Sequence, residues 1–146
     1  MSNIDLVKQI LDDGRATDFT TLEKLTADDM KFDGPVPEPV GKKEFIGLMQ
    51  ALTTAMPDWR YNPRNYAENG NKVTATIQIT GTQTGTLALP MLPQAYPASG
   101  KHVQLPQEHL EITLTNNKIS RIHSDTVPGA GVMGILEQLG VKLPVH

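Results

Sequence analysis

The stretch EHLEITLTNNKISRIHSD, residues 108–125, decides the fold of this chain. In its first half, EHLEITL, apolar residues alternate with polar ones, as they do in a strand that buries one face. The TNNK segment that follows has the composition of a tight turn. The second half, KISRIHSD, then returns as a neighbouring strand. The stretch therefore predicts a β-hairpin with one apolar face and one polar face.

The region before this hairpin supplies further strands. KVTATIQITGT, residues 72–82, alternates cleanly and predicts a half-buried strand. ENGN, residues 68–71, is a turn of the kind that requires positive φ, and the WRYNPRNYAE segment that leads into it has an extended pattern. A proline-rich segment, residues 85–106, separates these strands from the hairpin and has the length of a lid, a binding loop or a disordered segment. Together the strands predict an antiparallel meander.

Helical patterns dominate the N-terminal third of the chain. Helices are predicted to begin near residues 2, 17 and 41, and glycine or proline residues end the first and third of them, at Gly14 and Pro57. A short strand and a proline-rich loop separate the second helix from the third, and GVMGILEQLG, residues 131–140, predicts a closing helix. Helices followed by strands predict an α+β fold. We expect a curved antiparallel sheet packed against the N-terminal helices, with a pocket between the two layers.

Length and composition limit the function. The chain has 146 residues, which suits a single domain over 1–146, and a net charge of −3, without the basic surface that nucleic acid requires. It contains no cysteine, so disulfides, thiolate nucleophiles and zinc–thiolate sites are excluded. The N-terminus does not read as a signal peptide, and no apolar stretch is long enough to span a membrane. We therefore expect a soluble, cytoplasmic protein with no nucleic-acid or membrane partner.

One face of the KISRIHSD strand raises the question of a site. Side chains two residues apart on a strand point to the same face, so Arg121, His123 and Asp125 form a row. If the row faces water, it is an ordinary solvated surface. If it faces a pocket, it is a candidate acid–base site, to which His109 on the preceding strand could contribute.

Several motifs follow one another in an order that resembles a known family. They are AMPDWRY, GTQTG, PASGK, and NNKISRIHSD followed by GILEQLG. In this order they resemble the SnoaL-like polyketide cyclases, often called ester cyclases, over about residues 45–143. That family belongs to the superfamily that also holds nuclear transport factor 2, ketosteroid isomerase and scytalone dehydratase.

The resemblance implies a cone-shaped α+β fold of the nuclear transport factor 2-like or cystatin-like kind, with its pocket on the concave face of the sheet. It also implies an intramolecular aldol closure that is run by acid–base residues without a cofactor. Such acid–base chemistry does not require a metal either, although His109, His123 and Asp125 could in principle bind one. In the family a carboxylate and a histidine on the last strands do this work. The resemblance therefore implies Asp125 as the base and His123 or His109 as the proton donor. Many relatives carry a tryptophan near position 123, so the histidine here changes the volume and charge of the pocket.

Each of these residues also has a purely structural interpretation. Asp125 stands at a strand end, where an aspartate often forms hydrogen bonds within the following turn. His123 could be a hydrogen-bonded core histidine, and His109 could face solvent or a dimer interface. The residues expected to bind substrate are Asp33, Trp59, Tyr61, Met91 and Tyr96.

Three functions are open from the sequence. The first is a small cofactor-independent enzyme that cyclises or isomerises a hydrophobic carbonyl or ester compound by proton transfer. The second is a binding module of the same fold for a small hydrophobic molecule or a partner, and the third is a hydrolase or dehydratase in the same pocket. An enzyme requires titratable groups inside the cavity, whereas a binding module has a wholly apolar one. We also expect a homodimer, because small domains tend to cover an open sheet face.

Overall fold

The computed structural model describes residues 2–12, 16–34, 39–89, 94–125 and 127–141. The helices are α1 (Asn3–Leu11), α2 (Phe19–Leu25), α3 (Lys42–Ala55) and α4 (Gly131–Leu139). The strands are β1 (Thr26–Asp33), β2 (Val40–Gly41), β3 (Arg64–Asn69), β4 (Lys72–Ile77), β5 (Thr80–Thr82), β6 (His102–Gln104), β7 (Glu108–Thr115) and β8 (Lys118–Ser124). This order confirms the predicted α+β class. None of the helices in the described part of the chain is long and apolar enough to cross a membrane.

The β7–β8 hairpin lies at the centre of the main sheet, whose strand order is β2-β1-β8-β7-β4-β3. Its turn is formed by Asn116 and Asn117, whose φ angles of 53° and 62° are left-handed. Asparagine tolerates this conformation better than most residues do. β7 pairs antiparallel with both β8 and β4. The two alternating stretches of the sequence therefore form neighbouring central strands, as predicted.

One pairing departs from the predicted antiparallel sheet. β1 runs parallel to β8, with Asp33 opposite His123, so the main sheet is mixed. Gly34 follows β1 with φ +109°, and a Cβ atom at this position would collide with the Ser124 carbonyl. Glycine is therefore required where the end of β1 passes the end of β8. Local alternation does not show which distant strand will be the neighbour, so the sequence did not reveal this contact.

The strand predicted at residues 72–82 is divided between two sheets. β4 ends at Ile77, and β5 pairs with β6 in a separate two-stranded sheet. The alternation of buried positions continues across the break, since Ile77, Ile79 and Gly81 are all buried. The chain therefore changes sheet after Ile77 while it keeps one apolar face toward the core. The proline-rich segment returns through β6, so part of it is regular structure.

The N-terminal helices begin at the predicted caps. The Ser2 hydroxyl accepts a hydrogen bond from the Asp5 N–H at 3.1 Å, and the Asp5 carboxylate accepts one from the Ser2 N–H. The Asp18 carboxylate likewise accepts from the Thr21 N–H at 3.1 Å. Each such cap stabilises its helix by about 1 kcal/mol. The predicted stop of the first helix at Gly14 lies outside the described residues.

The closing helix α4 is attached to β6. The Gln138 side-chain amide donates to the Gln104 carbonyl at 2.8 Å, and its oxygen accepts from the Gln104 N–H at 2.9 Å. The helix ends at Gly140, whose φ of +75° gives the left-handed end that a C-terminal glycine predicts. These contacts hold the buried side chains Ile135 and Leu136 over the core.

Candidate active site

A narrow cavity lies between the helices and the inner face of the main sheet. Its volume is about 70 Å³, which is room for a few water molecules or a small organic group. The helices contribute apolar side chains such as Ile10, Met49 and Ile135, and the strands contribute others such as Ile77 and Ile112. The cavity stands where the sequence predicted a pocket between the helices and the sheet.

Glu108 brings a carboxyl group into this apolar cavity. The residue is 3% exposed, and its Oε1 accepts a hydrogen bond from the Ser124 hydroxyl at 3.0 Å. Its Oε2 is buried and has no hydrogen-bond partner among the described residues. Burial raises the pKa of Glu108 above its ordinary range, and the hydrogen bond from Ser124 opposes this shift only in part. One carboxylate oxygen is therefore held in place while the other is available to a ligand.

Strand geometry explains why this pair points inward. Glu108 lies on the same face of β7 as Leu110, and Ser124 lies opposite Leu110 in the β7–β8 pairing. The register of the two strands shifts between Thr113 and Leu114, where β8 carries an extra residue. Such a bulge changes which side chains of the longer strand share a face. The inward position of Ser124 therefore depends on the bulge as well as on simple alternation.

Two weakly paired hydrogen-bond donors line the same cavity. The Trp59 indole N–H is buried and has no hydrogen-bond partner among the described residues. The Tyr61 hydroxyl lies 3.9 Å from the Met49 sulfur, which is a weak acceptor. The rings of Trp59 and Tyr61 meet edge to face, with centroids 6.0 Å apart. Burial raises the pKa of Tyr61, and the Trp59 N–H acts on the phenol in the opposite direction although it does not reach hydrogen-bond geometry, so the phenol keeps its proton at neutral pH.

The family model for the SnoaL-like domain matches residues 7–122. This chain belongs to the SnoaL-like domain family. The matched segment runs from α1 into β8 and includes Trp59, Tyr61 and Glu108. No curated protein matches this SnoaL-like domain.

Several solved structures share the fold of this SnoaL-like domain. A candidate SnoaL-like polyketide cyclase from Jannaschia sp. CCS1 is 16% identical, with a TM-score of 0.70 over 96% of this chain and 92% of that chain. IdmH from Streptomyces antibioticus, a candidate polyketide cyclase, is 17% identical, with a TM-score of 0.69 over 97% and 100%. An LEH-like epoxide hydrolase from M. tuberculosis is 13% identical, with a TM-score of 0.67 over 94% and 92%. At these identities the likeness shows the fold alone.

In this SnoaL-like domain the row of Arg121, His123 and Asp125 lies on the outer face of the sheet, away from the cavity. Arg121 donates to Asp33 Oδ2 at 2.8 Å. His123 lies between two carboxylates, with Nδ1 3.3 Å from Asp33 and Nε2 3.4 Å from Asp125. The hydrogen bond from Arg121 holds the pKa of Asp33 below its ordinary range, although partial burial acts in the opposite direction. The predicted row exists, and it forms an ion-pair cluster outside the cavity.

His109 also points away from the cavity. It is exposed, follows Glu108 on the opposite face of β7, and pairs with Thr76 of β4. The His109 backbone carbonyl accepts a hydrogen bond from the Asp125 N–H at 3.1 Å. The structure therefore does not bring the side chains of His109, His123 and Asp125 into the pocket. Their catalytic role stays a prediction.

The residues expected to bind substrate are divided in the same way. Trp59 and Tyr61 line the cavity, whereas Asp33 belongs to the outer ion-pair cluster. Tyr96 exchanges backbone hydrogen bonds of 2.8 and 2.9 Å with Leu87, and its half-buried ring packs against the core without lining the cavity. Met91 lies outside the described residues.

Sequence reasoning missed Glu108 and Ser124. A signal for Glu108 was present, because it stands two residues before Leu110 and therefore shares the apolar face of the strand. A glutamate on that face, surrounded by leucine and isoleucine, is the anomaly that marks a buried polar site. No comparable signal marked Ser124, because a serine on either face of a strand is ordinary.

Proposed function

We propose that this SnoaL-like domain is a cofactor-independent enzyme that cyclises or isomerises a small apolar carbonyl or ester compound, with Glu108 as the proton carrier. The proposal is carried by one observation, the unpartnered Oε2 of Glu108 in an apolar cavity. A buried polar group without a partner destabilises a fold by about 1–3 kcal/mol. Burial that perturbs a titratable group in a cavity is typical of functional sites.

The proposed reaction begins with Glu108 ionised. Its Oε2 takes a proton from the carbon next to the substrate carbonyl. The electron pair of that C–H bond forms the double bond of an enolate, and the negative charge moves to the carbonyl oxygen. In a cyclisation the enolate carbon attacks a second carbonyl of the same molecule, and Glu108 gives its proton to the new alkoxide. In an isomerisation Glu108 returns the proton to a different carbon, so either route balances without an oxidant or a reductant.

The surroundings of Glu108 suit both halves of this cycle. Its raised pKa makes the carboxylate a stronger base than an exposed glutamate, while the protonated form can still give the proton back. Ser124 occupies Oε1, which leaves Oε2 to face the substrate. Because the ionised form is the active base, the rate of proton abstraction rises as the pH rises through the raised pKa of Glu108.

The size and polarity of the cavity support a compact substrate. A volume of about 70 Å³ favours a small molecule over a multi-ring polyketide. The Jannaschia and Streptomyces antibioticus relatives are both described as candidate polyketide cyclases. We carry over from them the class of reaction, ring closure, and not the polyketide itself.

A binding module is the second candidate function. The apolar lining around Glu108 favours it, because that lining would hold a small hydrophobic ligand whether or not a reaction follows. A binding module does not require an ionisable group in the cavity. The role of Glu108 therefore separates the two functions.

Exchange of protons for deuterons provides a test that does not require the natural substrate. Cyclohexanone and a set of other small ketones and esters are incubated with the protein in deuterated buffer, and loss of the proton signals next to the carbonyl is followed by NMR. We expect catalysed exchange with the wild type and a loss of about 100-fold or more in Glu108→Gln. Glu111→Gln is the matched control, since Glu111 is on the same strand but pairs with Lys72 on the outer face at 2.9 Å.

The outcomes distinguish the two functions. Exchange that depends on Glu108 and not on Glu111 supports the enzyme. Exchange that is equal in the wild type and Glu108→Gln contradicts the role of Glu108. Ligand-induced shifts in the protein spectrum without any exchange over the whole set support the binding module.

A further inference from the structure

The cavity contains hydrogen-bond donors that the protein leaves unpaired or only weakly paired. The Trp59 N–H is unpartnered among the described residues although Trp59 is only 5% exposed. The Tyr61 hydroxyl has a thioether as its neighbour instead of an oxygen. A buried N–H without an acceptor is destabilising unless an acceptor arrives from outside the chain. Both donors therefore point to a ligand that brings an acceptor atom.

The fold places Tyr61 across the end of β4 from Glu108. The Tyr61 carbonyl accepts a hydrogen bond from the Gln78 N–H at 2.8 Å. The residue before Gln78 is Ile77, which pairs with Glu108 across β4 and β7. The backbones at Tyr61 and Glu108 therefore flank the end of β4, and both side chains line the same cavity. The cavity has donors at one side of this strand end and a carboxyl at the other.

The charge of the lining limits the ligand further. No lysine, arginine or histidine is among the described residues that line the cavity, and Glu108 is its one acidic residue. A carboxylate or phosphate on the ligand would meet no opposite charge and would lose its hydration, which is strongly unfavourable. Apart from these donors, a glycine, and Ser124, whose hydroxyl already donates to Glu108 Oε1, the remaining lining is aliphatic or aromatic, so a charged group on the ligand would lack a partner.

We infer that the cavity binds a neutral, compact, apolar molecule through a carbonyl oxygen, and that the Trp59 N–H donates a hydrogen bond to this oxygen with the Tyr61 hydroxyl as a second donor beside it. The inference rests on the proposed function, in which Glu108 removes a proton from the carbon next to that carbonyl. The same two donors then stabilise the negative charge that develops on the oxygen. Trp59 and Tyr61 thus become residues that select the substrate and assist its reaction.

The indole resonance of Trp59 gives a direct test, because the chain contains one tryptophan. In ¹⁵N-labelled wild-type protein the indole N–H therefore gives a single side-chain signal. The probes are cyclohexanone and methylenecyclohexane, which has the same shape but carries CH₂ in place of the oxygen. We expect cyclohexanone to shift the indole proton resonance downfield, because the N–H then donates a hydrogen bond to the ketone oxygen. Methylenecyclohexane has no oxygen and should not cause this downfield shift. Equal shifts with both probes, or no shift with either, would overturn the inference.

Measuring both probes with both the wild type and a Trp59 variant cancels the contribution that the different hydrophobicity of the probes makes to binding. The dissociation constant of each probe is measured by calorimetry for the wild type and for Trp59→Phe, which keeps an aromatic ring but lacks the N–H. We expect Trp59→Phe to weaken the binding of cyclohexanone about fivefold to tenfold more than it weakens the binding of methylenecyclohexane. Equal weakening of both probes contradicts the hydrogen bond. If Trp59→Phe does not fold, the indole shift of the wild type still decides the question.

The proposed function and this inference can fail separately. If the indole signal shifts only with cyclohexanone, and the exchange rate is the same in the wild type and Glu108→Gln, the ligand class is supported and the enzyme is contradicted. If exchange depends on Glu108, but the indole signal does not shift when cyclohexanone is added, the enzyme is supported and the role of Trp59 is contradicted. Cyclohexanecarboxylate is a third probe, and its binding as tightly as cyclohexanone contradicts the requirement for a neutral ligand.

Discussion

Two carboxyl groups on opposite faces of the main sheet have pKa values that are shifted in opposite directions. On the inner face, burial raises the pKa of Glu108, and the hydroxyl of Ser124 is its hydrogen-bond partner. On the outer face, the hydrogen bond and charge of Arg121 lower the pKa of Asp33, which remains partly exposed. The residue types are similar, and both sites lie near the C-terminal end of β8. The difference shows that burial and charge partners decide between a potential base and a structural ion pair.

The largest expected effect contrasts packing on the two faces. Ile112 is 2% exposed and lines the cavity, whereas Thr113 is the next residue along β7 and points outward. Ile112→Ala removes buried methyl groups and should lower the free energy of unfolding by about 2–5 kcal/mol. Thr113→Ala should change it by about 0.5 kcal/mol or less. Urea denaturation of both variants checks the contrast, and similar losses would show that the outer face is also packed.

A smaller effect is expected from the ionisation of Glu108, which lowers the free energy of unfolding because the carboxyl group is buried. Its folded-state pKa is raised above the ordinary value of 4.5, so the native state holds this proton more tightly than the unfolded state does. Its contribution to stability is therefore complete below about pH 4.5 and is lost as the pH rises through the folded-state pKa. Glu108→Gln cannot ionise and should be about 1–3 kcal/mol more stable than the wild type at neutral pH. Denaturation curves over a pH series should show this gain shrinking toward acid; a gain independent of pH would contradict the raised pKa.

The smallest effect lies in the outer ion-pair cluster and has the opposite dependence on pH. The folded-state pKa of Asp33 is lowered below 3.8, so its contribution to stability is present above that value and is lost as the pH falls through the folded-state pKa. Asp33→Asn should cost about 0.2–1 kcal/mol at neutral pH, because an ion pair that is still partly open to solvent contributes little. High salt should reduce the difference from the wild type. A larger loss that salt does not change would show that Asp33 is more than a surface partner.

Much of the fold could be predicted from local patterns. The caps at Ser2 and Asp18, the asparagine turn of TNNK and the apolar alternation of β7 depend on neighbouring residues only. Each is a property of a few consecutive residues, so the sequence reveals it directly. The predicted family and α+β class are confirmed for the same reason, since ordered local motifs identified them.

The candidate site was harder to predict because it combines distant parts of the chain. Alternation correctly placed Arg121 and His123 on one face but did not show which face meets the cavity. The parallel β1 supplies Asp33 to that outer row from 88 positions earlier in the chain. Glu108 was passed over in favour of His109, although the two are adjacent and alternation separates them. Chemistry alone favours a histidine as the proton carrier, whereas the alternation of the strand buries Glu108 and exposes His109.

By itself, the sequence determined the α+β class, the hairpin at 108–125, the family, and the absence of cysteine chemistry. Only the tertiary structure decided that Glu108 is a buried acid with an unpartnered oxygen and that Trp59 has an unused donor. The physical reason is that local conformation depends on neighbouring residues, whereas the pKa of a carboxyl and the pairing of an N–H depend on surroundings supplied by the whole chain.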